Sequence, residues 1–124
     1  MSRKHTVLVV DDSAAMRMLM TASLQDSEFE VVAQARNGQE ALQCFKDTAP
    51  DLVLLDIVMP GMSGVETLTQ IMALNKNAAV IMASSMGTDD AVQEALKAGA
   101  KNFLQKPIEQ EALLHVLRTT VSSL

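Results

Sequence analysis

The side chains of this sequence that could take part in chemistry lie at the ends of short apolar runs. Three carboxylates, one hydroxyl and one ammonium group occupy such positions: Asp11, Asp12, Asp56, Ser84 and Lys106. If the runs are parallel strands of one sheet, their carboxyl ends share an edge, and ligand sites of such sheets form at that edge. The five side chains would then converge.

Three carboxylates around one lysine would leave an excess of negative charge. Two like unit charges ~4 Å apart repel each other by roughly 4 kcal/mol at an effective dielectric constant near 20. Oxygen ligands that leave room for water suit Mg²⁺, which we expect Asp11 and Asp12 to hold. Neither His nor Cys lies at these run ends, so tight transition-metal ligation is not expected.

Asp56 is the candidate nucleophile because it follows the third of five apolar runs, which we expect at the centre of the sheet. Aspartate carboxylates accept phosphoryl groups as aspartyl-phosphates. Phosphoryl transfer depends mainly on positioning and charge neutralisation, which Mg²⁺ and Lys106 would supply. The Ser84 hydroxyl could donate to a phosphoryl oxygen. Each residue alone is typical of a turn or cap, but the joint pattern favours a metal-assisted phosphate site.

Five apolar runs alternate with segments of helical period. The runs are Val7–Val10, Val31–Ala35, Leu52–Leu55, Val80–Ala83 and Phe103–Leu104. Continuously apolar runs are typical of strands that are covered on both faces. The alternation predicts an α/β fold, a (βα)5 doubly wound parallel five-stranded sheet. The strand order 2-1-3-4-5 is the known order of flavodoxin-like sheets.

Helix boundaries are marked by capping residues. Ser13, Asn37 and Thr88 are predicted to lie at helix N-termini. Gly99 is predicted to end the fourth helix in a left-handed conformation.

Composition limits the possible functions. The 124 residues fit a single domain spanning residues 1–124, and the net charge of −5 argues against direct nucleic-acid binding. The apolar run near the N-terminus is too short for a signal peptide, so we expect a cytoplasmic protein without membrane insertion. The lone cysteine, Cys44, is expected to be a small core or boundary residue, and the absence of Trp and Tyr disfavours stacked planar cofactors.

Four motifs carry a resemblance to a known family. They are VLVVDDS with Arg17 four residues beyond, DLVLLDIVMPGMSG, VIMASSMG and KAGAKNFLQKP. In this order and spacing, from Val7 to the final helix, the chain resembles the response-regulator receiver domain of the stand-alone CheY-like kind.

The resemblance implies a role for each site residue. Asp56 would be the phosphoacceptor, and Mg²⁺ would be bound by Asp11, Asp12, Asp56 and the backbone carbonyl of Val58. Lys106 would contact the phosphoryl group, and its peptide bond to Pro107 would be cis.

The resemblance also implies a conformational switch. Ser84 would take the hydroxyl switch position, and Phe103 would take the aromatic switch position, where the ring rotates between outward and inward rotamers. Ser84 replaces the commoner Thr, and Phe103 replaces the Tyr of many relatives. Val58 and Met86 lie where relatives often carry polar groups that influence how water attacks the aspartyl-phosphate. Because both side chains are apolar here, we expect slow spontaneous dephosphorylation.

The implied function is two-component signal transduction, with chemotaxis as a candidate pathway. A sensor histidine kinase or histidine phosphotransfer domain would donate the phosphoryl group, and the face formed by helix 4, strand 5 and helix 5 would bind a downstream protein target. The chain would be a phosphoacceptor switch rather than an enzyme, catalysing only its own phosphorylation and dephosphorylation. We expect a monomer, with phosphorylation-dependent dimerisation as an alternative.

The first helix carries methionines at a spacing of two residues: Met16, Met18 and Met20. They cannot all face inward, so at least one is expected to be exposed and available for kinase docking.

Other assignments remain open from the sequence. The chain could be a receiver domain cut from a larger regulator or hybrid kinase. A flavodoxin-like redox protein would require a different loop after the first strand and stacking aromatics. A haloacid-dehalogenase-type phosphatase would require a second Asp at position 58, where this chain has Val58.

Overall fold

The computed structural model describes residues 4–85 and 89–124, with only the backbone for Asp89, and strands alternate with helices along the chain. The strands are β1 (His5–Val10), β2 (Phe29–Ala35), β3 (Leu52–Asp56), β4 (Ala79–Ser84) and β5 (Asn102–Gln105). The helices are α1 (Ala14–Ser23), α2 (Gly38–Thr48), α3 (Gly64–Leu74), α4 (Asp89–Ala98) and α5 (Gln110–Ser122).

The strands form one parallel sheet in the order β2-β1-β3-β4-β5. The predicted topology is thus confirmed. Every residue of β3 and β4 is buried, which explains why their sequences are apolar without alternation. Because β3 lies at the centre, its carboxyl end is flanked by β1 on one side and β4 on the other.

Two apolar cores cover the two faces of the sheet. One contains Leu8, Val10 and residues of α2, α3 and α4, such as Phe45, Leu68 and Ala95. The other contains Val7, Val9 and residues of α1 and α5, such as Met20 and Leu117. Successive strand residues point to opposite faces, so each inner strand contributes to both cores. Within the described ranges, no helix combines the length and apolarity required to cross a membrane.

The predicted caps are observed where the structure describes them. The Ser13 side chain accepts a hydrogen bond from the Met16 amide, and the Asn37 side chain accepts one from the Glu40 amide. Gly99 has φ +117°, and the following amide bonds back to the carbonyl of Ala95 at 3.0 Å. This pattern is the Schellman ending that glycine favours. The predicted N-terminal residue of α4, Thr88, lies outside the described residues.

The loop between β3 and α3 turns back tightly at Gly64. The Gly64 amide donates to the carbonyl of Ile57 at 2.8 Å. A Cβ atom at this position would lie only 2.2 Å from the backbone oxygen of Asp56. The absence of a side chain at Gly64 therefore allows α3 to begin directly against the end of β3.

We expect Gly64→Ala to lower the free energy of unfolding by about 3 kcal/mol, the upper end of the usual range for overpacking, because the obstructing atoms are backbone. Gly61→Ala is the matched control: Gly61 has φ +76° but open space where a Cβ atom would lie, so only the left-handed conformation should cost about 1 kcal/mol. Urea unfolding would measure both, and equal losses would contradict the proposed clash.

Candidate metal and phosphate site

The carboxyl ends of β1, β3 and β5 bring three carboxylates and an ammonium group together. Asp11, Asp12 and Asp56 each offer one oxygen within 4.8 Å of the others. Lys106 Nζ donates to Asp11 Oδ2 at 2.7 Å and lies 3.5 Å from Asp56 Oδ2. The convergence expected from the sequence is confirmed for these four residues.

Asp11 is buried and held at each of its polar atoms. Its Oδ1 accepts from the Ser13 amide at 2.9 Å, and its Oδ2 accepts from Lys106. Its backbone amide donates to the Ala35 carbonyl at 3.0 Å, and its backbone carbonyl accepts from Arg17 Nη1 at 2.6 Å. The carboxylate therefore has a fixed orientation at the end of β1.

Asp56 is a buried charge that its neighbours compensate only in part. It is only 5% exposed, and its Oδ1 accepts a long hydrogen bond of 3.3 Å from the Val58 amide. Burial, followed by the negative charge of Asp11, raises the pKa of Asp56 to about 6, although Lys106 and the Val58 amide act in the opposite direction. The site therefore favours a neutralising partner at Asp56.

Lys106 remains a cation in this environment. Burial acts to lower the pKa of Lys106, but the hydrogen bond to Asp11 and the charges of Asp56 and Asp11 outweigh burial and raise it. The Lys106–Pro107 peptide bond is cis, as the resemblance implied.

The remaining predicted residues lie on β4, β5 and the adjoining loops. Ser84 is buried at the end of β4, and its carbonyl accepts from the Lys106 amide at 2.8 Å. Phe103 is half-buried and packs against the core that contains α2, α3 and α4. Val58 is 69% exposed beside Asp56, whereas Met86 lies outside the described residues. The switch and tuning roles of these residues stay predictions.

The residues present are suitable for a hard divalent cation. All the side-chain donors are carboxylate oxygens, and each such oxygen has lone pairs beyond those used in one hydrogen bond. Asp12 is exposed, so water can reach the cluster from solvent. Burial and then the charge of Asp11 raise the pKa of Asp56, and a cation at the cluster would favour its ionised form. The cluster could therefore hold a metal ion.

The exposed face of α1 is partly apolar. Met20 is buried, Met16 is partly buried and Met18 is 70% exposed, which confirms the expectation that at least one of these methionines faces solvent. Leu19 beside it is also exposed.

Two contacts of the site were not assigned from the sequence. Arg17 belongs to the first motif, but the sequence assigns it no role. Gly64 belongs to a loop rich in turn-forming residues. The available signal for Arg17 was its position one helical turn after the cap Ser13, because helical side chains point toward the N-terminus and can reach the preceding turn. The close approach at Gly64 depends on tertiary geometry and has no local signal.

The raised pKa of Asp56 predicts a pH-dependent penalty in the metal-free protein. The folded state holds the Asp56 proton to a higher pH than the unfolded state, with pKa values of about 6 and 3.8. The stabilisation from this group is fully present below the unfolded pKa. It is lost as pH rises through about 6, and this loss amounts to about 3 kcal/mol at neutral pH.

We therefore expect Asp56→Asn to raise the free energy of unfolding by about 2–3 kcal/mol near pH 7.5, and by less as pH is lowered toward 4.5. Urea unfolding in a metal chelator would measure the difference. Asp12→Asn, at an exposed carboxylate, is the control and should change stability less. A pH-independent difference for Asp56→Asn would contradict this account.

Comparison with known proteins agrees with this geometry. The model of a family described as the response regulator receiver domain matches residues 7–118. The chain is 47% identical over 111 residues to the chemotaxis protein CheY of Listeria monocytogenes, covering 90% of this chain and 93% of that protein. It is 42% identical over 118 residues to CheY of Bacillus subtilis, covering 95% of this chain and 98% of that protein.

Solved structures share the fold. The CheX–CheY–BeF3–Mg²⁺ complex from Borrelia burgdorferi contains a chain with a TM-score of 0.91 and 35% identity, covering 94% of this chain and 89% of that one. The structure of Vibrio cholerae CheY4 gives a TM-score of 0.89 at 31% identity, and the match covers 94% of this chain and 98% of that one. With its fold, its acidic cluster and a family match over most of its length, this chain belongs to the response regulator receiver domains of two-component signalling.

Proposed function

We propose that this receiver accepts a phosphoryl group on Asp56 from a phosphohistidine, in a Mg²⁺-dependent reaction, and then binds a downstream protein. The observation that carries the proposal is the environment of the Asp56 carboxylate. It is nearly buried, faces a second carboxylate and lies 3.5 Å from the Lys106 ammonium group. Such a carboxylate can act as a nucleophile, and the lysine can bind the oxygens of an incoming phosphoryl group.

The transfer forms one bond and breaks one. A carboxylate oxygen of Asp56 bonds to phosphorus as the bond from phosphorus to the donor's imidazole nitrogen breaks, and that nitrogen keeps the electron pair. A pKa of about 6 leaves Asp56 largely ionised at neutral pH, so no base is required to activate it. Lys106 is held by Asp11 at 2.7 Å and can turn one of its donors toward a phosphoryl oxygen.

Asp11, Asp12, Asp56 and the Val58 carbonyl would hold Mg²⁺. When bound, the ion would neutralise the charge of the carboxylates and of the phosphoryl oxygens. The fit rests on the oxygen-only donor set and on the clustering of three carboxylates, of which Asp11 and Asp56 are buried. The related CheY of the Borrelia complex was solved with BeF3 and Mg²⁺, which supports the same chemistry here.

The proposed switch acts through β4 and β5. The Ser84 hydroxyl donates to a phosphoryl oxygen, which draws the end of β4 toward Asp56. Phe103, half-buried on β5, turns inward as the neighbouring loop moves. These changes alter the face formed by α4, β5 and α5, and a target that binds the phosphorylated form more tightly shifts the population toward it.

The proposed partners are a phosphohistidine donor and a downstream protein. The donor is a sensor histidine kinase or a histidine phosphotransfer domain, for which exposed Met18 on α1 offers an adaptable contact. A role in chemotaxis is supported by relatives that are chemotaxis proteins. In this proposal the chain is a phosphoacceptor rather than an enzyme acting on other molecules.

The direct test is phosphorylation by a small-molecule donor such as acetyl phosphate. We expect one phosphoryl group per chain by intact mass spectrometry with Mg²⁺ present and none after chelation. Asp56→Asn should abolish labelling, whereas Asp47→Asn, an exposed aspartate of α2, should leave it unchanged. Lys106→Met should slow labelling at least tenfold, because the phosphoryl oxygens lose their cationic partner. Labelling that persists in Asp56→Asn would refute the assignment.

The lifetime of the phosphorylated form gives a second test. Val58 and Met86 provide no hydrogen bond to a water that attacks the aspartyl-phosphate, so we expect slow decay. Val58→Asn combined with Met86→Glu should speed decay by about tenfold or more, since general-base and positioning effects are of at least that size. Decay would be followed by mass spectrometry after the donor is removed. An unchanged rate in the double variant would contradict the tuning roles.

A further inference from the structure

Arg17 makes a contact with the site that differs from those of the carboxylates and the lysine. Its Nη1 donates to the backbone carbonyl of Asp11 at 2.6 Å, a short charge-assisted hydrogen bond. The Arg17 amide is itself bonded to the Ser13 carbonyl at 3.0 Å in the first turn of α1. The partly buried side chain therefore reaches back over the turn that connects β1 to α1.

The Asp11 carbonyl belongs to the peptide unit that joins Asp11 to Asp12. Because peptide units are planar, fixing the direction of this carbonyl also fixes the direction in which the chain enters Asp12. The Asp11 side chain is held by Ser13 and Lys106, whereas Asp12 is exposed. The orientation of Asp12 toward the cluster thus depends strongly on the backbone that Arg17 holds.

We propose that Arg17 is a positioning residue for the divalent-cation site, which it serves by fixing the Asp11–Asp12 peptide unit. The inference rests on the proposed Mg²⁺-dependent function and adds to it a residue that touches neither the ion nor the phosphoryl group. Partners of metal ligands commonly change metal affinity by 10–100-fold when they are removed.

Positioning and simple charge predict opposite effects on cation affinity. As a charge alone, Arg17 repels Mg²⁺, so its removal would tighten binding. As a positioning residue, Arg17 holds the ligands in place, so its removal weakens binding despite the lost repulsion. The sign of the change therefore separates the two roles.

The test is Mg²⁺ binding to unphosphorylated protein by isothermal titration calorimetry at constant ionic strength. We expect Arg17→Met to bind Mg²⁺ about tenfold more weakly than the unmodified chain. Arg17→Lys keeps the charge but has a single ammonium in place of the guanidinium fork, and it should bind several-fold more weakly. Amide nuclear magnetic resonance shifts of residues 11–13 should move in both variants before Mg²⁺ is added.

Arg118→Met is the matched control. Arg118 on α5 also ties two segments of the chain together, through two hydrogen bonds to Glu28 in the loop before β2 at 2.7 and 3.0 Å, but it takes no part in the acidic cluster. Its loss should leave Mg²⁺ affinity within about twofold of the unmodified chain.

The outcomes separate the positioning role from the proposed function. Equal or tighter Mg²⁺ binding by both Arg17 variants would overturn the positioning role while leaving the proposed function intact. An equal loss in Arg118→Met would also overturn it, because the effect would then be one of general stability. Failure of the unmodified chain to bind Mg²⁺ would overturn the proposed metal-dependent function and this inference with it. If Arg17→Met does not fold, Arg17→Lys serves as the test of the positioning role. Unchanged Mg²⁺ affinity in Arg17→Lys would contradict that role.

Discussion

The burial of two neighbouring carboxylates, only partly balanced by one lysine, is the constraint on which the rest of this site depends. Asp11 and Asp56 end neighbouring strands, and Lys106 lies closer to Asp11 than to Asp56. Burial, followed by the charge of Asp11, raises the pKa of Asp56, so its environment favours a neutralising partner. The excess of negative charge makes this end of the sheet suitable for a cation, which a fully paired cluster would attract less strongly.

Holding such charges close together requires a rigid support. The sheet provides it because β3, which carries Asp56, is hydrogen-bonded on both sides and buried on both faces. The glycine at the start of α3 lets that helix approach the end of β3 without displacing the aspartate backbone. Stability from the two apolar cores thus offsets the unfavourable electrostatics at the sheet edge, a common arrangement for functional sites.

The sequence was sufficient to predict the fold and the acidic cluster because both depend on simple patterns. Apolar runs mark buried strands, and parallel strands bring their carboxyl ends to one edge, so the convergence of Asp11, Asp56 and Lys106 followed from topology. The cap at Ser13 was predictable because it is a contact within one helical turn. The carbonyl contact of Arg17 depends on a side-chain rotamer, and the approach at Gly64 depends on the packing of a helix against a strand end, which no local pattern specifies.

The hydrogen bond from the Lys106 amide to the Ser84 carbonyl has a consequence for how the site responds to change. It ties together the main chains of Ser84 and Lys106, so neither backbone can shift far without the other. Replacements at these two positions should therefore be energetically coupled rather than additive. Any retuning of this receiver at either position would therefore require both to be considered jointly.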